Sequence, residues 1–241
     1  MRVDPRGDVW DDPRVAALLD LALAEDVGAG DRTSTALIPG GRRARGHLRA
    51  KQALVVAGLP VLPRLFARLG AVAITVHAAE GARAACGEEL ATLEGDARTL
   101  LAGERVALNL LQHLSGIATL TRACVERVAG TRLVVRDTRK TLPGMRLLAK
   151  YAVRAGGGTN HRLGLDDAIL VKDNHLALGG GAVPAAVAAA RAAWPALPLE
   201  IECRTLVEVA AAVDARPDLI LLDNMDLDGL REGNNRFGHA C

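Results

Sequence analysis

The sequence has few aromatic residues and no long apolar run. Only 2% of its 241 residues are aromatic, so alanine, leucine and valine must form most of the core. No apolar run approaches the roughly 18 residues that a membrane-spanning helix needs. The amino-terminal segment MRVDPRGDVW is polar and charged, unlike a signal peptide. We therefore expect a soluble, cytoplasmic protein without a membrane span.

Cysteine pairs and charge runs of one sign are also missing. Cys86, Cys124, Cys203 and Cys241 are widely spaced, form no CxxC pair and have no histidine at metal-ligand spacing. This spacing favours reduced thiols. The chain has 30 basic and 28 acidic residues, which gives a net charge of +2, and no basic run dominates. Bulk charge therefore gives no argument for a nucleic-acid partner.

Several common functional motifs are absent. The chain has no GxxxxGK[ST] phosphate loop, no GxGxxG after a strand and no GxSxG nucleophile elbow. It does have a glycine run at residues 156–158, which fits either a flexible turn or a backbone that passes close to a ligand. His161 alone would more often be structural, but its position after these glycines and beside Arg162 favours a functional role.

The amino-terminal hundred residues have the pattern of a small α+β domain. Asp12 and Pro13 provide the N-cap and first position of a helix. Val27 to Pro39 is predicted to be a turn-rich loop. Short alternating runs from Ala71 to Leu93 predict strands of an antiparallel sheet. An apolar stripe at helical spacing predicts a long helix from Gly103 to Arg127.

A different pattern follows, in which short apolar strands alternate with alanine-rich helices. The predicted helices are Ala182 to Ala193 and Leu206 to Ala215. Four strands are predicted, at Leu133–Val135, Ile169–Val171, Leu199–Glu202 and Leu219–Leu222. Repeated strand–helix units with right-handed crossovers imply parallel strands, in a sheet or a barrel.

Charged residues stand at the carboxyl end of each predicted parallel strand. RDTRK follows the first strand and KDNH the second; the third carries Glu202 and ends in Cys203-Arg204, and Asp223 follows the fourth. The carboxyl ends of parallel strands share one rim, where active sites form. Four such endings in succession favour a functional rim over solvation alone.

The charges at this rim indicate a class of substrate. The cations are Arg139, Lys140, His161, Arg162 and Lys172, and the carboxylates are Glu202 and Asp223. Arginine binds carboxylates and phosphates through paired hydrogen bonds, whereas lysine acts as a point charge. The combination suits a polyanion that carries sugar hydroxyls and Mg²⁺ bound partly through its phosphates. Carboxylates also stabilise a developing sugar cation. The pattern therefore predicts transfer at a phosphorylated sugar.

Six blocks of sequence make the pattern specific. They are EDVGAGDRTS (25–34), ERVALNLLQHLSGIAT (104–119), RDTRKTLPGMR (136–146), KYAVRAGGGTNHRLGLDDAILVKDNH (150–175), EIE (200–202) and LDNM (222–225). In order and spacing the chain resembles quinolinate phosphoribosyltransferases from about residue 10 to about residue 228. The resemblance implies an α/β protein of the type II phosphoribosyltransferase fold. An N-terminal α+β domain with an open-faced sheet (1–103) would precede an incomplete six-stranded α/β barrel (104–230).

The resemblance also implies an activity and an assembly. Quinolinate and phosphoribosyl pyrophosphate would give nicotinate mononucleotide, pyrophosphate and CO₂, with Mg²⁺ as cofactor, in de novo NAD synthesis. The family forms homodimers with shared active sites, so a homodimer or a higher homo-oligomer is expected. A basic side chain of the neighbouring subunit would enter the site, and its position falls at Arg49 or Lys51.

Residue roles follow from the matching motifs. Arg105, Arg139, His161, Arg162 and Lys172 would bind the quinolinate carboxylates. Lys140 would act near the reacting sugar carbon as a catalytic residue. Glu202 and Asp223 would be catalytic residues at the ribose hydroxyls and would hold Mg²⁺ directly or indirectly.

The carboxyl terminus departs from the family pattern. Family members continue with two more strands and a glycine-rich phosphate loop, whereas this sequence reads REGNNRFGHAC after Leu230. We expect residues 231–241 to be an atypical tail, and the chain to be C-terminally truncated and to have little or no transferase activity as it stands. Two alternatives therefore stay open: a catalytically silent truncated chain, and the related pyrophosphorylase-like protein associated with molybdenum transport. Comparing quinolinate with nicotinate as substrates would separate the latter from the leading interpretation.

Overall fold

The computed structural model describes residues 8–238, which divide into two units, 8–161 and 162–238. The first unit begins with a 3-10 helix at Val9–Asp11. Its further elements are α1 (Pro13–Val27), α2 (Arg32–Leu37), β1 (Arg43–Arg49), β2 (Leu54–Val55), α3 (Val61–Phe66), β3 (Val72–Val76), β4 (Arg83–Ala84), β5 (Glu89–Asp96), α4 (Ala97–Arg127) and α5 (Arg146–Ala155).

The first unit packs helices against a small antiparallel sheet. Strand β5 lies between β1 and β3, and β2 pairs with β4, all antiparallel as predicted. The apolar stripe of α4 is buried at Val106, Leu110 and Leu114. Helix α4 begins six residues before the predicted start because the Asp96 carboxylate caps it, accepting hydrogen bonds from the Arg98 and Thr99 amides.

The loop predicted from Val27 to Pro39 is partly wrong, because it contains α2. Asp31 caps this short helix, and its carboxylate accepts a hydrogen bond from the Ser34 amide at 2.9 Å. Gly28 and Gly30, which have positive φ angles and are typical of turns, precede this cap closely and hide the start of the helix in the sequence. The prediction of Asp12 as N-cap and Pro13 as the first residue of α1 is confirmed.

The strand predicted at Leu133–Val135 is also wrong. Within residues 8–161, the Val135 carbonyl accepts a hydrogen bond from the Thr159 amide, the Asp137 amide donates to the Thr159 carbonyl, and the one parallel bridge joins Arg136 to Thr159. Leu133 and Val134 are 68% and 63% exposed. A short apolar run predicts a strand only if a neighbour continues the ladder, and here the pairing stops after one step.

The second unit is a parallel α/β sheet. Its elements are β6 (Ile169–Val171), α6 (Asp173–Leu178), α7 (Val183–Ala193), β7 (Leu199–Cys203), α8 (Leu206–Ala215), β8 (Leu219–Leu222) and α9 (Leu227–Phe237). Strand β7 lies between β6 and β8, and both pairings are parallel. Leu199, Ile201 and Cys203 on β7 are fully buried and form the centre of this unit's core.

Helix α9 includes part of the sequence predicted to be an atypical tail. The Asp226 carboxylate caps it by accepting a hydrogen bond from the Gly229 amide at 2.7 Å. Gly233 is buried against Leu206 and Leu222, so a glycine occupies a contact position where an apolar side chain would have revealed the helix. Residues 239–241 of that predicted tail, including Cys241, lie outside the described residues, as do residues 1–7 of the polar amino-terminal segment.

Two further sequence predictions bear on this fold. The predicted domain division between residues 103 and 104 falls inside α4 and stays a prediction. Among residues 8–238, none of the helices combines the length and apolarity required to cross a membrane.

The glycine run that ends α5 lets this helix approach α4 closely. A Cβ on Gly156 would lie 2.5 Å from the Ala118 carbonyl oxygen and 2.7 Å from the Thr121 Cβ. Gly158 is similarly close to Thr121, and Gly157 adopts a φ of +91°. The contact observed for these glycines is therefore with α4.

We expect Gly156→Ala to lower the free energy of unfolding by about 1–3 kcal/mol, the usual cost of overpacking. Urea denaturation followed by circular dichroism measures the change. Gly116→Ala is the matched control, because Gly116 also belongs to α4 but has open space around it. That control should be neutral or gain about 0.5–1 kcal/mol. Equal stability of the two variants would contradict the packing interpretation.

Candidate active site

The carboxyl ends of the three parallel strands bring charged side chains together. Lys172 Nζ follows β6 and lies 3.6 Å from a Glu202 carboxylate oxygen on β7. Arg204, just after β7, lies 4.0 Å from Glu202 and 3.6 Å from Asp223, which follows β8. The predicted rim residues Lys172, Glu202 and Asp223 therefore form one cluster in the unit 162–238. We call these three, with Arg204 and Asp173, the rim cluster.

Backbone pairing fixes Asp223 in this cluster. Its amide donates to the Cys203 carbonyl at 2.9 Å, which continues the β7–β8 ladder by one residue. Its carboxylate accepts a hydrogen bond from the Asn224 side-chain amide at 2.7 Å. Asn224 has a φ of +54°, a conformation that asparagine tolerates better than most residues. The chain therefore turns sharply at Asn224, after β8. Asp223 stays close to Arg204, which also contacts Glu202.

Arg204 and Asp173 are members of the rim cluster to which the sequence analysis gave no role. The Arg204 guanidinium lies 2.7 Å from an Asp173 oxygen, in addition to its contacts with Glu202 and Asp223. Arg204 is the first residue after β7 and Asp173 is the second after β6, and this position at the strand ends is the signal that could have identified them. Because Glu202 is only 10% exposed, the neighbouring cations offset the cost of burying its charge.

Cys203, between Glu202 and Arg204, is a core thiol as expected. Burial, together with the Glu208 and Glu202 carboxylates, raises the pKa of this thiol to about 11. The thiol is therefore protonated at neutral pH and is a poor nucleophile. Cys86, Cys124 and Cys203 are all free thiols.

A second polar cluster lies in the unit 8–161. Asp137 and Lys150 form a buried ion pair with a 2.5 Å contact between Oδ1 and Nζ. The amide of His161 donates to Asp137 at 2.8 Å, and Asn160 Nδ2 donates to the other Asp137 oxygen at 2.6 Å. The structure thus ties His161, a predicted site residue, to the segment that carries Arg139 and Lys140.

Arg139 and Lys140 lie in the turn that follows the Arg136–Thr159 bridge. The Lys140 amide donates to Thr138 Oγ1 at 3.0 Å, and the Thr141 amide donates to the Arg139 carbonyl. The Nε of Arg139 is buried, and no described residue accepts a hydrogen bond from it. A buried guanidinium N–H of this kind is suited to an external anionic acceptor.

The remaining predicted residues occupy different surroundings. Arg162 is buried, and its guanidinium donates to the Ala168 carbonyl at 3.1 Å. Arg105 lies on an exposed position of α4. Arg49 is exposed on β1 with Glu89 3.3 Å away, and Lys51 is exposed just after that strand. Their predicted ligand contacts stay predictions, as does the choice between Arg49 and Lys51.

Family sequence models match most of the chain. The N-terminal domain of quinolinate phosphoribosyl transferase matches residues 31–115, and the C-terminal domain of the same family matches residues 117–237. Nicotinate-nucleotide pyrophosphorylase [carboxylating] of Mycobacterium leprae is 48% identical over 208 residues, covering 84% of this chain and 72% of the relative. The human protein of the same name is 41% identical, covering 87% of this chain and 70% of the relative.

Solved structures agree with these relatives. NadC from Streptococcus pyogenes superposes with a TM-score of 0.89 at 40% identity, covering 100% of this chain and 83% of that one. Nicotinate-nucleotide pyrophosphorylase from Francisella tularensis gives 0.88 at 30% identity, covering 97% and 83%. The predicted fold class, a sheet domain followed by a parallel α/β domain, is confirmed. With both family domains matched in order, the chain belongs to the quinolinate phosphoribosyltransferase family.

Proposed function

We propose that the protein transfers the phosphoribosyl group of phosphoribosyl pyrophosphate to quinolinate, releasing pyrophosphate and CO₂ and forming nicotinate mononucleotide for NAD synthesis. The observation that carries this proposal is the rim cluster of the unit 162–238, whose cations and carboxylates suit the phosphates and hydroxyls of a sugar phosphate. Within the unit 8–161, the buried Nε of Arg139 has no acceptor among the described residues and suits a carboxylate. That these two substrates react with each other is inferred from membership of the family.

The chain's cations would position the acceptor. Arg105, Arg139, His161, Arg162 and Lys172 are the residues proposed to bind the two quinolinate carboxylates. Held in this way, the pyridine nitrogen attacks the anomeric carbon of the ribose as the bond to pyrophosphate breaks. Lys140 stabilises charge at the reaction centre, which lowers the barrier if the stabilisation is greater in the transition state.

The second step removes a carboxylate. Once alkylated, the pyridine nitrogen is positively charged and stabilises the electron pair that stays on the adjacent ring carbon as CO₂ departs. A proton then replaces CO₂ at the ring carbon. During the first step Glu202 and Asp223 would engage the ribose hydroxyls and stabilise positive charge that develops on the sugar.

The rim cluster fits Mg²⁺ as a proposed cofactor. Mg²⁺ usually binds through one or two carboxylates together with substrate phosphates, and Glu202 and Asp223 provide two carboxylates. The described residues contain no group of three histidine, cysteine or acidic side chains that could hold a metal ion. When bound, Mg²⁺ would neutralise charge on the pyrophosphate.

The test is direct. Chain 1–241 is incubated with quinolinate, phosphoribosyl pyrophosphate and MgCl₂, and nicotinate mononucleotide and CO₂ are measured. The proposed reaction gives both products in equal amounts and none when nicotinate replaces quinolinate. Calorimetry with quinolinate accompanies the assay. Binding without turnover would favour a silent, binding-only chain, whereas neither binding nor turnover would refute the proposal.

We expect Glu202→Gln to raise the KM for phosphoribosyl pyrophosphate by about 10- to 100-fold, the scale of losing a hydrogen bond to a charged group. The variant keeps the shape of the side chain and removes the charge that faces the sugar and Mg²⁺. Kinetics at a series of MgCl₂ concentrations measure the effect. Glu232→Gln is the control, because Glu232 is an exposed carboxylate on α9. An unchanged KM in Glu202→Gln would remove Glu202 from the donor site.

We also propose a cytoplasmic homodimer. The free thiols of Cys86, Cys124 and Cys203 support a reducing compartment. Arg49 and Lys51 are exposed and thus accessible to a second subunit. Light scattering after size-exclusion chromatography tests the dimer, and Arg49→Ala and Lys51→Ala, compared by quinolinate KM, test which residue the partner's site uses.

A further inference from the structure

The Asp137–Lys150 ion pair is deeply buried in the unit 8–161. The Lys150 side chain is 3% exposed and the Asp137 side chain is 8% exposed. A charge is costly to bury, so such a pair persists only where geometry and further hydrogen bonds satisfy both partners. The hydrogen bonds around the pair therefore identify the groups that the pair holds in place.

Those contacts converge on the backbone of His161. Its N–H donates to Asp137 Oδ1 at 2.8 Å, and its carbonyl accepts a hydrogen bond from Lys150 Nζ at 2.8 Å. One ion pair thus binds both backbone polar groups of a single residue. We call this arrangement the His161 clamp.

Asn160 completes the clamp from the preceding position. Its Nδ2 donates to Asp137 Oδ2 at 2.6 Å and to the Lys150 carbonyl at 2.9 Å, and its Oδ1 accepts from Arg154 at 2.6 Å. Both Asp137 oxygens are therefore occupied. The side chains of the pair contact each other, Asn160 and His161, so the clamp joins α5 to residues 160–161.

The clamp also connects the two chain segments beyond the point where their backbone pairing stops. Among the described residues, the one bridge between the two segments is Arg136 to Thr159, and the next residues, Asp137 and Asn160, are joined by a side-chain hydrogen bond. Two residues after Asp137 comes Arg139. The clamp consequently sets the spacing between the segment of Arg139 and Lys140 and the segment of His161.

We propose that Asp137 and Lys150 are positioning residues for the dicarboxylate-binding cations, and that they act by fixing the backbone of His161 relative to Arg139. The identity of the ligand rests on the proposed function, whereas the constraint on the His161 backbone rests on the hydrogen bonds alone. The ion pair touches no reacting atom in this account. A displacement of about 1 Å in a site of this kind can cost about 100-fold in rate or binding.

The test compares Lys150→Met, Asp137→Asn and the double variant with the wild-type chain. The double variant removes both charges together, so no unpaired charge stays buried if a single variant folds poorly. Ser115→Ala is the matched control: Ser115 is also buried in the unit 8–161 and bonds the Ala57 backbone, away from the predicted site residues. Circular dichroism verifies folding, NMR measures hydrogen exchange at the His161 amide, and calorimetry measures each ligand's Kd.

We expect faster exchange at the His161 amide in the clamp variants than in Ser115→Ala. The Kd for quinolinate should rise by about 10- to 100-fold, while that for phosphoribosyl pyrophosphate should change by about threefold or less. Unchanged exchange, or equal losses for both ligands, would overturn the proposal and leave the pair a purely structural one. If the wild-type chain binds no quinolinate, the proposed function fails, and the exchange measurement still decides whether the clamp exists.

Discussion

Replacing Lys140 with alanine is expected to lower kcat by about 100- to 1,000-fold, the scale of losing one charge-stabilising group at a reaction centre. The Kd for quinolinate should change by about threefold or less. Lys140 follows the turn after Asp137 and is exposed, with its amide held by Thr138. An interaction that strengthens only in the transition state appears in kcat rather than in binding.

Steady-state kinetics and calorimetry measure the two effects separately. Arg132→Ala is the control, because Arg132 is an exposed cation eight positions earlier and outside the matched motifs. It should leave both quantities near their wild-type values. A Lys140→Ala variant with a raised KM and an undiminished kcat would show that Lys140 binds substrate instead of stabilising the transition state.

The second large effect is expected for Arg139→Ala, which should weaken quinolinate binding by about 2–5 kcal/mol, the scale for truncating one member of a buried charge pair. The buried Nε of Arg139 has no acceptor among the described residues, so an anionic ligand would satisfy it. Arg139→Lys should fall between the wild type and the alanine variant, since lysine keeps the charge but loses the planar pair of donors.

Separate calorimetric titrations with quinolinate and phosphoribosyl pyrophosphate check this expectation. The loss should be larger for quinolinate, because its carboxylates are the proposed partners of Arg139. Equal losses for the two ligands would mean that Arg139 does not define the dicarboxylate pocket. Urea denaturation of the ligand-free variants shows whether a general loss of stability contributes.

Helices and strands that pack against elements close to them in the sequence could be predicted from the sequence. Strands β6 and β8 end at their predicted residues, and α8 matches at both ends, because each combines an apolar run with clear flanking residues. The charges after these strands then fixed Lys172, Glu202 and Asp223 at one edge of the sheet. The parallel-strand rule was sufficient for this part of the site.

Features that depend on distant partners could not be predicted. Leu133–Val135 has the same apolar character as β6, yet the absence of a continuing ladder decides its conformation. The roles of Asp137 and Lys150 depend on contacts with His161, which follows Lys150 by 11 residues and Asp137 by 24. Arg204 was visible as a charge, but its three carboxylate contacts come from three strand ends. Periodicity carries no information about such contacts.

Helix α4 has a consequence for any attempt to recombine this protein with its relatives. Its 31 residues span about 46 Å, and the two family domains meet near its middle, at residues 115–117. Beyond that junction, Thr119 still accepts a hydrogen bond from the Val55 amide at 2.8 Å. Neither family domain can therefore be exchanged at this junction without disturbing contacts of the other. A chimera joined at residue 116 would pair a foreign half-helix with strand β2, whereas a crossover placed after Arg127 would transfer the whole helix with the strands it supports.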